Sequence, residues 1–289
     1  MLVLFTDTDT DITPAIAEKY GYKLISMPYS LDGKDVYPYE DFEIFDHKTF
    51  YGMMRDGAMP STSALSPAKY KEYFEPVFKN GDDILYVHFS SAMTATFDFM
   101  NLALKELYEL YPERKLYEID TKAISIGSLN IAEEVGELYK AGKTVDEILD
   151  WAKTEVDKFA VYFFSEDLKF FKRSGRVSGI AALMGGLVGV RPIIYVGADG
   201  KMTSIAKEVG RTKAMRRLVS YVEELGEDIK DHKVIIGHAD EAEMAEDLGN
   251  MLRERFGDDL NIEYSVVNPT IGSHCGPNCI GVTFHSKHR

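Results

Sequence analysis

Cysteine is scarce in this sequence: Cys275 and Cys279 are the only two, set close together near the C-terminal end. Two thiols supply no disulfide framework, and Cys-Gly-Pro-Asn-Cys holds one residue too many for a Cys-x-x-Cys redox pair. Positive charge is also in short supply, with 33 Lys and Arg against 47 Asp and Glu and a formal net charge of −14. That balance argues against nonspecific nucleic-acid binding and against docking on anionic lipid. Long hydrophobic runs are missing as well. None approaches the ~18 residues that span a bilayer, and the longest, Gly179 to Val190, is short and Gly-rich. The opening Met1-Leu-Val-Leu-Phe-Thr-Asp7 lacks a basic leader, so no signal peptide is predicted. The expectation is a cytoplasmic protein without stable membrane insertion and with transient membrane contact at most. Repeats, low-complexity tracts and a Gly/Ser linker are absent too.

What remains is ordinary for a soluble globular chain: 45% hydrophobic and 28% charged residues over 289 positions, enough for a sizeable core and two subdomains. Apolar runs alternate with helical periodicity. Leu2 to Phe5 reads as a strand, Thr13-Pro14 opens a helix to Tyr20, and Lys23 to Pro28 reads as the next strand. Asp32-Gly33 marks a small hairpin, Asp46 caps a helix to Met54, and Ser66-Pro67 opens another to Lys79. The alternation continues through strands near Ile84 to Phe89 and Lys115 to Ile119, predicting an open, mostly parallel sheet with function at its strands' carboxyl ends. Ala160 to Phe164 starts a second set, with a hairpin about Asp199-Gly200 and strands at Val234 to Gly237 and Ile262 to Val266. The expected division is 1–158 and 159–289, at the end of a long amphipathic helix. The stretch Ile271 to Gly281 reads as a glycine-bent loop before a last strand, Val282 to Phe284.

Candidate chemistry sits in polar turns. Ser90, Ser91, Thr94 and Thr96 lie between a strand and a helix, where unpaired N–H groups and hydroxyls can hold an anion; capping by Ser91 or Thr94 is the simpler reading for a lone turn. Pro60-Ser-Thr-Ser-Ala-Leu-Ser-Pro67 is a second hydroxyl-rich turn. Thr6-Asp7-Thr8-Asp9-Thr10 resembles the opening of magnesium-dependent haloacid-dehalogenase-type phosphatases, with Asp7 and Asp9 in the chemical roles. However, the later acidic pair, Asp82-Asp83, precedes its strand and so lies at the wrong edge. His274, Cys275 and Cys279 fall short of the four ligands that zinc favours, so no metal or other cofactor is expected. The islands Arg173-Ser-Gly-Arg176 and Arg211 to Arg217 suit an anionic group or an acidic partner surface. The run Gly179 to Val190 reads as a buried helix, or as backbone that an apolar ligand approaches closely.

Taken in order, these segments resemble the DegV family, whose characterised members are bacterial fatty-acid-binding proteins of the FakB type. The resemblance rests on Thr6 to Ile12, Thr62 to Ser66, Ser90 to Thr96, Asp120 to Gly127, Asp167 to Ser178 and Gly272 to Pro277. It implies a two-domain α/β fold, with a mixed sheet in the second domain and an acyl chain buried between the domains. It further implies that the fatty-acid carboxylate is held at Thr62, Thr94 and His274, with Ser91 in the same hydroxyl turn. Arg176 and Arg211 would face a fatty acid kinase, to which this non-enzymatic carrier presents the acid for acyl-phosphate formation. Met93-Thr94-Ala95 stands where the family pattern favours Leu-Ser-Gly, and Ala64-Leu65 where Gln-Pro is usual.

Overall fold

The computed structural model describes residues 1–180 and 189–289. In chain order its first strands are β1 (Leu2–Asp7), β2 (Tyr22–Ile25), β3 (Tyr29–Leu31), β4 (Lys34–Val36), β5 (Ser61–Thr62), β6 (Asp83–His88) and β7 (Leu116–Asp120). Four of them form a parallel sheet in the order β2-β1-β6-β7. The local chemistry explains the connections. Thr13 caps the helix Pro14–Tyr20 by accepting the Ile16 N–H, and Gly21 ends it at φ 79°. Asp32 and Gly33, both at positive φ, turn β3 into β4. Strand β5 joins β3 in a small antiparallel sheet, with Thr62 opposite Tyr29.

The second sheet is built from β8 (Phe159–Ser165), β9 (Val177–Ser178), β10 (Val190–Val196), β11 (Met202–Val209), β12 (Val234–His238), β13 (Ile262–Val266) and β14 (Cys279–His285). Its order is β13-β12-β14-β8-β10-β11-β9, with parallel and antiparallel pairs mixed. Every residue of β8 is buried, and its side chains alternate between two cores. Ala160, Tyr162 and Phe164 pack with the helices Arg211–Leu225 and Ala242–Phe256. Phe159, Val161 and Phe163 join the cluster that also contains the parallel sheet.

The helix Ile126–Lys140 packs against β8, β12 and β14 and is buried over most of its first three turns. Two glycines allow this fit. A Cβ at Gly127 would collide with Val161 of β8, and one at Gly136 would stand 2.6 Å from the Tyr20 ring. The carboxyl ends of β1, β6 and β7 carry the turns after Asp7, His88 and Asp120.

One expectation is corrected. The stretch from Ile271 is not a loop: Pro269–Cys275 is a helix and β14 already begins at Cys279. Asn268 caps it by accepting from Thr270 and Ile271, Pro269 occupies the first turn, and Gly276 closes it at φ 72°. Gly272, which reads as a breaker, lies inside the helix because the Tyr51 hydroxyl occupies the place of its Cβ at 2.5 Å. The Gly-rich apolar run beyond Ile180 falls on 181–188, outside the described residues. No helix among the described residues is long and apolar enough to cross a membrane.

Candidate ligand-binding site

A cavity of about 230 Å³ opens where β5, the turn after β6, the helix Pro269–Cys275 and the second sheet meet. At one end, Thr62 Oγ1 and His274 Nε2 lie 2.9 Å apart, and either can donate. Burial, with help from the Arg176 and Arg173 charges, holds His274 down to about 4, so its imidazole is neutral near pH 7. Its buried Nδ1 has no partner among the described residues. Thr94 lines the same cavity, and its hydroxyl oxygen accepts the Thr96 N–H at 3.1 Å. Much of the rest of the wall is apolar, with Met27, Phe89, Ile124, Ile126, Val161 and Phe163. The floor passes close to Gly237 and Gly281, where a Cβ would come within 2.6 Å of Ile126 and 2.9 Å of Phe163.

The remaining predicted residues are distributed more widely. Arg176 lines the cavity at its exposed rim and donates to the Ser174 carbonyl. Ser91 does not line it. Its hydroxyl turns to Asp120 in a polar hollow with His88 and Glu118, at the start of the short 3₁₀ turn Ser91–Met93; Thr94, just past that turn, lines both this hollow and the cavity. Neither Ser91 nor Thr94 occupies the N-cap of the following helix; that position is Ala95, with no side-chain cap. Arg211 is committed within the chain. It grips Glu166 with two hydrogen bonds of 2.7 Å and reaches Glu241 at 3.4 Å. Despite its burial, Glu166 is held below the ordinary carboxylate range by Arg211 and Arg191.

Arg173, which reads as one of an exposed basic island, has a structural task there. Its guanidinium donates to the carbonyls of Met59, Pro60 and Ser273, tying the approach to β5 to the helix that carries His274. The pairing of Thr62 with His274 therefore rests on a residue whose sequence signal was only its neighbourhood. Cys275 and Cys279 are buried, reduced and line the cavity; the neighbouring Cys279 thiol and burial push Cys275 well up, which keeps it unreactive.

The acidic turn after β1 is buried throughout. Asp7 accepts from the Asp9 N–H at 3.0 Å, the Tyr86 hydroxyl at 2.9 Å and the Phe89 N–H at 3.3 Å. Burial pushes it up to about 7 against those bonds. Asp11, pushed up to about 6 by burial, accepts from Ser125 and from the Asn268 backbone and side-chain N–H groups at 2.9 and 2.7 Å. This turn thus anchors the cap of the His274 helix. Asp9 alone faces the cavity.

A family model described as "Uncharacterised protein, DegV family" matches residues 1–287. A DegV domain-containing protein of Clostridium perfringens is 32% identical over 283 residues, covering 98% of this chain and 96% of that protein. Two solved structures share the fold over 99% of each chain. One is a DegV family protein from Thermus thermophilus described by its fatty acid binding, at TM-score 0.84 and 22% identity. The other is a stearic-acid-binding protein from Eubacterium ventriosum, at TM-score 0.86 and 19% identity. The family model over residues 1–287 and the clostridial relative at 32% identity show the same thing: this chain belongs to the DegV family.

Proposed function

We propose that the protein is a non-enzymatic fatty-acid carrier of the cytoplasm that buries a long acyl chain in this cavity and holds the carboxylate at Thr62, Thr94 and His274. The observation that carries the reading is the hydrogen-bonded Thr62–His274 pair in a hollow walled largely by apolar side chains. A carboxylate taken out of water needs hydrogen-bond donors, and two hydroxyls, one of them oriented by a neutral imidazole, provide them without a buried counter-charge. His274 donating to Thr62 frees the Thr62 hydroxyl hydrogen for the acid. Each buried methylene contributes ~0.8 kcal/mol, so the chain supplies most of the affinity and the polar end sets its direction. The fatty acids bound by the Thermus and Eubacterium proteins support the same use here. Native mass spectrometry of protein purified from cells should show a co-bound fatty acid. Ligand-free protein that also ignores added oleate and palmitate would overturn the reading.

The same proposal gives the carrier a partner, a fatty acid kinase that receives the carboxylate. Arg176 at the rim offers a fixed charge to an acidic kinase surface, and Arg211 would join it by exchanging Glu166 for a partner carboxylate. Substituting both with Ala should leave fatty-acid affinity nearly unchanged and lower kinase turnover at low salt most. A phosphatase role for Asp7 and Asp9 draws no support from the geometry, because the Asp7 carboxyl is spent on three protein donors.

A further inference from the structure

We propose that Asp9 forms a second polar subsite inside the cavity, which reads a hydroxyl group carried part-way along the acyl chain. The inference rests on the fatty-acid reading and names a ligand class for it: hydroxylated long-chain acids. Asp9 lines the cavity and is only 6% exposed, and its buried Oδ1 has no hydrogen-bond partner among the described residues. Its two acidic neighbours are different. Asp7 and Asp11 each accept several hydrogen bonds from the scaffold.

The backbone of Asp9, by contrast, is fixed on both sides. Its N–H donates to Asp7 at 3.0 Å and its carbonyl accepts from Ser125 at 2.9 Å. The side chain is thus aimed by its main chain into an apolar space. A buried polar group without a partner is costly, and a partner supplied by the ligand removes that cost.

The position selects the chain over the carboxylate. The Asp9 turn is bonded to Asn268, where the Thr8 carbonyl accepts from the Asn268 side chain at 2.7 Å. His274 stands at the other end of the same helix, six residues on, roughly 9 Å away at the helical rise. On this proposal an acid anchored at Thr62 and His274 passes Asp9 with its middle carbons.

The protonation state selects a hydroxyl over a cation. Burial, and the charges of Asp7 and Asp11, raise Asp9 well above the ordinary range, which favours its neutral carboxyl. A neutral carboxyl offers one donor and one acceptor, and a hydroxyl answers both.

The test titrates the lipid-stripped full chain with octadecanoic acid and with its monohydroxy isomers, substituted near the carboxylate, at mid-chain or near the methyl end. The mid-chain isomer should bind the native chain about tenfold more tightly than the unsubstituted acid. Asp9→Leu should reverse that preference, while Asp9→Asn, which keeps a donor and an acceptor, should retain most of it. Equal or weaker binding of every hydroxy isomer by the native chain would overturn the subsite, as would a preference that survives Asp9→Leu. Should Asp9→Leu fail to fold, by circular dichroism, the native-chain comparison still decides. Octadecanoic acid that binds without a hydroxyl preference removes this inference alone; no binding of any acid removes the carrier reading with it.

Discussion

Two turns at the carboxyl ends of neighbouring parallel strands are written in the same hydroxyl-rich alphabet and do different work. Thr6 to Asp11, at the end of β1 and just beyond it, is wholly buried, and nearly all of its polar atoms are spent on the scaffold. Ser90 to Thr96, after β6, is partly exposed and divides its hydroxyls. Ser90 binds the Gly200 carbonyl, Ser91 turns to Asp120, and Thr94 faces the cavity. The difference teaches that a polar turn becomes a binding site where its donors are left unspent, and a fastening where they are not. Asp9 and Thr94 are the two places where one turn borrows the other's character.

The largest way to break the contrast is Asp11→Ala. It strands the Asn268 and Ser125 donors in a buried site and frees the cap of the His274 helix. We expect a loss of roughly 3–5 kcal/mol in a urea titration; a loss near zero would mean the turn fastens nothing.

The next effect is on pH dependence. Burial pushes Asp7 up to about 7 and Asp11 up to about 6 in the folded chain, from an ordinary 3.8. The folded state holds protons that the unfolded state has released, so this contribution is full below the ordinary range and is lost as pH rises through 6 to 7. Asp7→Asn should flatten the fall in urea midpoint between about pH 5 and about pH 8, whatever its midpoint at the acid end. An unchanged slope would show that Asp7 is ionised throughout. His274 works in the opposite sense: its folded value near 4, below the ordinary 6.5, makes it a burden only as pH falls from 6.5 towards 4.

Smaller effects sharpen the division within the second turn. Thr94→Ala should weaken fatty-acid binding by ~1–3 kcal/mol through a lost hydrogen bond, with the urea midpoint kept. Ser91→Ala should change affinity by less than ~0.5 kcal/mol. Equal losses for the two would mean that the whole turn, and not Thr94 alone, meets the ligand.

Much of the fold was legible because its punctuation is local. Thr13-Pro14 with Gly21, Asp32-Gly33 and Ser66-Pro67 mark their helix ends and turn through residues a few positions apart. The helix Pro269–Cys275 was missed because Gly272 and Gly276 read as breakers and the start signal Asn268-Pro269 went unread; what tolerates Gly272 is Tyr51, far away in sequence. The site was legible only through the family resemblance. Thr62 and His274 are 212 residues apart, and no spacing rule joins them. The bridging of Arg173, the retreat of Ser91 to Asp120 and the pairing of Arg211 with Glu166 depend on where distant backbone passes, which residue types do not record.

The central claim is that a carboxylate is read at Thr62 and His274. The most direct measurement compares octadecanoic acid with octadecanol on the native chain and on Thr62→Ala and His274→Ala. The account predicts that both substitutions weaken the acid by ~1–3 kcal/mol and leave the alcohol, whose chain fills the same apolar wall, nearly unchanged. If acid and alcohol lose affinity equally, the Thr62–His274 pair shapes the cavity without reading the head group, and the claim fails.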